Sequence, residues 1–198
     1  MDSAIGLLIG IGLSAACGFR VFVPLLCTAI AVRSGHMTVS QEFMWMATDT
    51  ALLAFSIATF LEVAAYYVPW LDNALDSISA PAAVIAGTMV TAAMLGDMSP
   101  LLKWSLAIIA GGGVAGVIKA GTAALRGVSS VTTAGIANPI VSTGELAGSL
   151  ATTGMAMTLP VVTLALVAFL LALSARFILR VTRAASRNPP PLPTAAGS

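Results

Sequence analysis

Apolar residues run in long blocks along this chain, and charged residues interrupt them at only a few positions. Six blocks approach the roughly 17–25 residues that a spanning helix requires: Ala4–Val32, Thr50–Val68, Pro81–Gly96, Trp104–Leu125, Pro139–Met157 and Pro160–Leu179. The pattern predicts an all-α fold, a polytopic transmembrane helical bundle of about six spans. Asn138-Pro139 and Ser99-Pro100 look like an N-cap followed by proline at the first helical position. Tyr66, Tyr67, Trp70 and Trp104 fall at block edges, as headgroup-level anchors should. One membrane domain is expected over residues 1–187. The tail 188–198, NPPPLPTAAGS, is too rich in proline to be helical and is expected to be disordered and cytoplasmic.

Four of the interruptions carry the candidate chemistry. Arg20, Glu62, Lys119 and Glu145 lie within apolar blocks, where a lone charge in hydrocarbon is costly, so each should face protein or a water-filled cavity. Arg20 is expected to pair with Glu62, and Lys119 with Glu145. Glu62 falls near mid-membrane and is the candidate protonatable group. Ser142 and Thr143 offer hydroxyls near Glu145. The first block is overlong, with Gly18 and Pro24 astride Arg20, and Gly111-Gly112-Gly113 weakens the fourth by roughly 1 kcal/mol per glycine. Broken or re-entrant helices at both places would aim backbone N–H groups at an anion. The candidate binding set is therefore Arg20, Glu62, Lys119, Glu145, Gly18, Gly112, Gly113, Ser142 and Thr143. Each has a plainer reading: structural ion pairs, small residues for close helix packing, and a Lys119 that snorkels to the interface.

The halves 1–98 and 99–187 each hold three blocks, and Gly12–Arg20 aligns loosely with Gly111–Lys119. A duplicated three-span unit would insert the opposite way up, giving inverted repeats. Arg176, Arg180, Arg183 and Arg187 place the C-terminus in the cytoplasm by the positive-inside rule. Counting back through six spans puts the N-terminus and Arg126 there too, with Arg33 and Lys103 outside. Ser14-Ala15-Ala16-Cys17 resembles a cleavage site, but Asp2 and the lack of basic residues before it argue against a signal peptide.

Composition narrows the function classes. The chain is 58% hydrophobic and 9% charged, with a mean hydropathy of +0.99, against about 25% charged residues in ordinary soluble domains. A net charge of +1 argues against nucleic-acid partners. His36, the single histidine, has no second ligand near it, so neither a metal site nor any cofactor is expected. Cys17 and Cys27 read as small packing residues. Asp72 and Asp76 read as a wet interfacial helix within a cytoplasmic connection, Leu71–Ala80, and Asp97 and Lys103 as loop charges. Walker A, HExxH and GxSxG motifs are all missing, so an enzyme is not expected.

The runs ACGFRVFVPLL (Ala16–Leu26), LEVAAYYVPWLDNALDSISAPAAVIAGT (Leu61–Thr88), GDMSPLLKW (Gly96–Trp104), IAGGGVAG (Ile109–Gly116) and NPIVSTGELAG (Asn138–Gly148) resemble a bacterial membrane family, Domain of Unknown Function 4126. The resemblance implies a small multi-pass protein of the bacterial inner membrane, and supplies no activity and no binding residues. The expectation from the residues is a small transporter or channel, with a homodimer and the lipid bilayer as its partners, and a charged, proton-coupled site for a small anion or an anionic lipid headgroup. The alternative is a non-transporting scaffold or accessory subunit of a larger complex.

Overall fold

Prolines and hydroxyl caps set several helix starts. Thr48 accepts a hydrogen bond from Ala51 N and opens one helix, and Pro100 and Pro139 stand in the first turns of two others. The computed structural model describes residues 3–65, 69–96 and 98–187, without the side chains of residues 3, 69–77 and 185–187. Among the described residues the chain is all-helical. The helices are α1 (Ser3–Phe19), α2 (Phe22–Arg33), α3 (Asp49–Ala64), α4 (Pro69–Met94), α5 (Pro100–Leu106), α6 (Gly113–Thr133), α7 (Asn138–Thr158) and α8 (Pro160–Arg187). A 3₁₀ helix, Gln41–Ala47, precedes α3, and a π turn, Ala107–Gly112, joins α5 to α6.

α1 is the central helix, packed against α4, α6, α7 and α8. Contacts fix the direction of each neighbour. Thr91 Oγ1 donates to Gly10 O, and Gly87 abuts Ser14, so α4 runs antiparallel to α1. Ser14 Oγ donates to Gly111 O, and Gly18 abuts Ala115 and Ile118, so α6 runs parallel to it. Ser149 Oγ donates to Ala16 O and Gly12 abuts Ala156, which makes α7 antiparallel. Thr163 also lies against Gly12, while Ala15 clusters with Val167, so α8 is parallel to α1.

α2 turns back on α1. Ser40 N donates to Ala93 O at the end of α4, level with the beginning of α1. If α2 continued in α1's direction, Arg33 would stand about 35 Å beyond Gly10. The seven residues from there to Ser40 reach at most about 25 Å. The chain therefore reverses at Arg20–Val21, forming a helical hairpin with Arg20 at its apex. α3 climbs back along α2, with Arg33 bonded to Asp49 at one end and Glu62 beside Val21 at the other.

The bundle has the polarity of a membrane protein. Its outer surface shows Phe60, Leu101, Ile109, Val131 and Ile140, each at least 71% exposed. Ser14, Thr28, Thr91, Ser149, Thr153 and Thr163 are meanwhile buried to 2% or less. By length and apolarity, Pro100–Thr133 and Pro160–Ala184 can cross a membrane, and the pair Gln41–Ala47 and Asp49–Ala64, bent by 65°, makes a third if taken as one span. Ala4–Phe19, Phe22–Arg33 and Ile78–Met94 are apolar but shorter.

Several expectations change. The break in the first block is where Gly18 and Pro24 placed it. Gly111–Gly113 is not a break: the helix passes through it as a π turn, which carries Gly111 against Thr91 and Gly87. Gly12–Arg20 and Gly111–Lys119 pack side by side and run the same way, whereas segments related by an inverted repeat run oppositely. The connection Leu71–Ala80 is part of α4. Because α1 and α8 are parallel, the start of the first and the end of the last lie at opposite ends of the bundle, against termini on one side. Tyr66, Tyr67, Asp97 and the tail 188–198 lie outside the described residues, as do the side chains of Trp70, Asp72 and Asp76.

Candidate functional site

The hairpin apex meets α6 and α7 in a layer of buried charge. Arg20, 1% exposed, extends from the end of α1, and its Nη2 donates to Ser142 O at 2.8 Å and lies 3.1 Å from Glu145 Oε2. Arg126 comes from α6 and is 5% exposed. Its Nε donates to Glu145 Oε1 at 3.0 Å and its Nη2 to Oε2 at 2.5 Å, a side-on bidentate grip. Nη2 also reaches Ser142 Oγ at 3.2 Å. One carboxylate, 4% exposed, thus serves two guanidinium groups. Such planar, charge-assisted pairing is the strong form of an ion pair and the geometry for which arginine is suited.

Glu62 does different work. Its Oε1 accepts from Val21 N at 2.8 Å and its Oε2 from Phe22 N at 3.1 Å, so a side chain of α3 caps the amide end of α2. Those N–H groups are left without helical partners wherever a helix begins, and the helix dipole favours a negative charge there. The charges of Arg20 and Lys119 also act on this carboxylate. Lys119 is buried to 7% on α6. Among the described residues, Arg20, Lys119 and Arg126 thus gather in one buried layer with the carboxylates Glu62 and Glu145.

All four charges singled out in the sequence converge, but the expected partners do not. Arg20 pairs with Glu145 rather than Glu62, and Glu145 is held by Arg126 rather than Lys119. Lys119 does not snorkel outward. Arg126, placed on the cytoplasmic side by counting spans in the sequence, is the residue that sequence reasoning missed. The signal was present: Lys119 and Arg126 are seven apart, two turns along one helix face, with Thr122 and Ser129 on that face and all of them buried. Of the remaining candidates, Ser142 joins the layer, while Thr143 is exposed and bonds back to Pro139 O. Gly18 provides close packing: a Cβ there would stand 2.6 Å from Ile118 Cβ. Gly112 packs on Thr88 of α4, and Gly113 has open space.

Lys103 needs correction too. It lies in α5, 5% exposed, with Nζ donating to Ser40 Oγ and Glu42 Oε2 at 3.2 Å, 5.9 Å from the Phe43 ring centroid. It ties the 3₁₀ helix to α5 at the end of the bundle where α1 begins. A cavity of ≈ 230 Å³ opens between α6 and α8, lined by Phe19, Thr122, Leu125, Leu170, Leu173 and Phe177. It is apolar and faces outward, so it lies beside the charge layer and is not the chemical site. Among the described residues no cluster of three His, Cys, Asp or Glu side chains has a metal-holding arrangement.

A family model described as a domain of unknown function (DUF4126) matches residues 7–180. No curated protein and no solved structure matches the chain.

Proposed function

The chain belongs to that family, a membership that names no activity, and from the site itself we propose that it is a small membrane transporter or channel for a monovalent anion. The observation that carries this reading is the gathering, among the described residues, of Arg20, Lys119 and Arg126 with Glu62 and Glu145 at the apex of a helical hairpin that turns back inside the bundle. Clustered cationic side chains in low dielectric favour an anion that can reach them. Arg20 and Lys119 supply the attraction, and the amide end of α2 supplies oriented N–H donors beside them. Glu62 is the group whose protonation couples to anion movement, because neutralising it frees those amides and removes one negative charge from the layer.

In this reading the apolar outer surface is lipid-facing, the α1–α2 hairpin is re-entrant, and the last turns of α8, with Arg176, Arg180 and Arg183, lie in the cytoplasm of a bacterial cell. The start of α1 then lies on the other side of the inner membrane. Purified full-length chain in liposomes tests it. Flux of chloride or nitrate is expected, falling about tenfold or more in Arg20→Gln, since losing one charge-assisted contact to an ion is worth over 1.4 kcal/mol. In Glu62→Gln, flux is expected to persist with its dependence on a proton gradient gone. No flux of any small anion ends the proposal, and an unchanged proton dependence in Glu62→Gln ends the coupling role.

A second reading, a non-transporting scaffold, is favoured by one observation: both oxygens of Glu145 are engaged and the residue is almost fully buried. The charges are then a lock between helices. That reading expects no flux and co-purification with a larger membrane complex.

A further inference from the structure

Helical threonines in this chain usually return their hydroxyl proton to the carbonyl four residues back. Thr88 does so to Val84, Thr133 to Ser129, Thr158 to Gly154 and Thr163 to Leu159. That bond is available to any threonine in a helix and satisfies the hydroxyl where water cannot. Thr28 on α2 and Thr153 on α7 depart from it. They are 0% and 2% exposed, and neither Oγ1 has a hydrogen-bond partner. Thr59 Oγ1, on α3 one turn before Glu62, is likewise buried and without a partner. An unmade hydrogen bond in the interior costs stability, and here it recurs on three adjacent helices, since α2 packs against both α3 and α7.

Their positions are ordered relative to the charge layer. Thr59 is three residues from Glu62, about 4.5 Å along α3. Thr28 is seven residues from Val21, about 10 Å along α2. Thr153 is eight residues from Glu145, about 12 Å along α7. All three displacements point the same way, toward the end of the bundle where α1 begins. α7 carries the line furthest, because its buried face is Ser142, Glu145, Ser149, Thr152, Thr153 and Ala156, almost without hydrocarbon.

We infer that Thr28 and Thr153 form a second, uncharged binding station for a monovalent anion, reached from the charge layer past Thr59. This rests on the anion-transport reading and deepens it, by assigning the half of the route that lies toward the start of α1. A hydroxyl whose proton is not used internally donates to an acceptor such as chloride without adding a charge that would trap it. The layer at Arg20 attracts the ion, and the hydroxyls let it leave.

The double variant Thr28→Val with Thr153→Val tests this, because valine keeps the shape and removes only the hydroxyls. Its thermal midpoint in detergent with gluconate as the only anion is expected to match or exceed that of the wild type, since no protein bond is lost. Replacing gluconate by chloride at equal ionic strength is expected to raise the wild-type midpoint and to leave the variant unchanged. In liposomes the variant's chloride flux falls about tenfold, the size of one lost hydrogen bond to an ion. Thr28→Ser with Thr153→Ser restores both readouts. If the wild type carries chloride and the valine variant carries it equally well, the station is overturned and the charge-layer reading stands. If the wild type carries none but its chloride-dependent stabilisation is lost in the valine variant, the station stands as a binding site and transport falls. If the wild type shows neither response, both fall.

Discussion

On the α6–α7 side of the charge layer a carboxylate is met by side chains, and on the α1–α2 side a carboxylate is met by backbone. Glu145 is gripped by the fork of Arg126 and touched again by Arg20, three groups fixed by two helices and an apex. Glu62 holds two amide hydrogens at the start of α2 and feels its cations without such a grip. Identical chemistry thus gives a clamp in one place and a removable cap in the other. The clamp fixes the geometry of the layer. The cap is held by two backbone amides, and protonating it would remove the charge they meet.

The comparison predicts a graded series. Glu145→Gln is expected to be the most damaging change, since it removes the carboxylate that two buried guanidinium groups share. Breaking a buried pair costs about 3–5 kcal/mol, visible as a large fall in the thermal midpoint in detergent. A midpoint near that of the wild type would mean the clamp is not a clamp. Arg126→Lys comes next, at about 2 kcal/mol, the worth of a hydrogen bond to a charged group: it keeps the charge and loses the fork. Glu62→Gln keeps an acceptor for one amide and is expected to cost only about 1 kcal/mol, the scale of a helix cap. A loss for Glu62→Gln as large as that for Glu145→Gln would erase the distinction. The glycines supply the most opposed pair. Gly18→Ala forces a methyl against Ile118 and Ala115 and is expected to cost about 1–3 kcal/mol as overpacking. Gly113→Ala meets nothing within 4 Å and is expected to raise stability by up to about 1 kcal/mol through helix propensity.

Much of this was legible from the order of residue types. The apolar blocks gave the helices, and the cost of charge in hydrocarbon gave the convergence of Arg20, Glu62, Lys119 and Glu145. Gly18, Arg20 and Pro24 marked the hairpin. Pairing was not legible, because it depends on which helix faces which, and α1 meets α7 rather than α3 at Arg20. Arg126 was hidden by its place beyond the end of an apolar block, where hydropathy alone assigns it to a loop. The triple glycine misled for a related reason. Three glycines lower helix propensity, but the crowding of α4 at Gly87, Thr88 and Thr91 selects Gly111 and Gly112 for proximity, and packing overrides propensity. The span count fell short of six because α1, α2 and the apolar part of α4 are short, and the hairpin divides a block that hydropathy reads as continuous.

A carboxylate partner of Arg20 lies far away along the chain, at Glu145, whereas the cap on α2 comes at Glu62. In a membrane-inserted chain the arginine would therefore be made long before Glu145, and a guanidinium short of that carboxylate is costly in lipid. The first hairpin has to wait at a wet boundary, or be sheltered, until α6 and α7 emerge from the ribosome. Biogenesis of this protein is thereby tied to its last third: a nascent chain cut before residue 145 should leave its own beginning unseated.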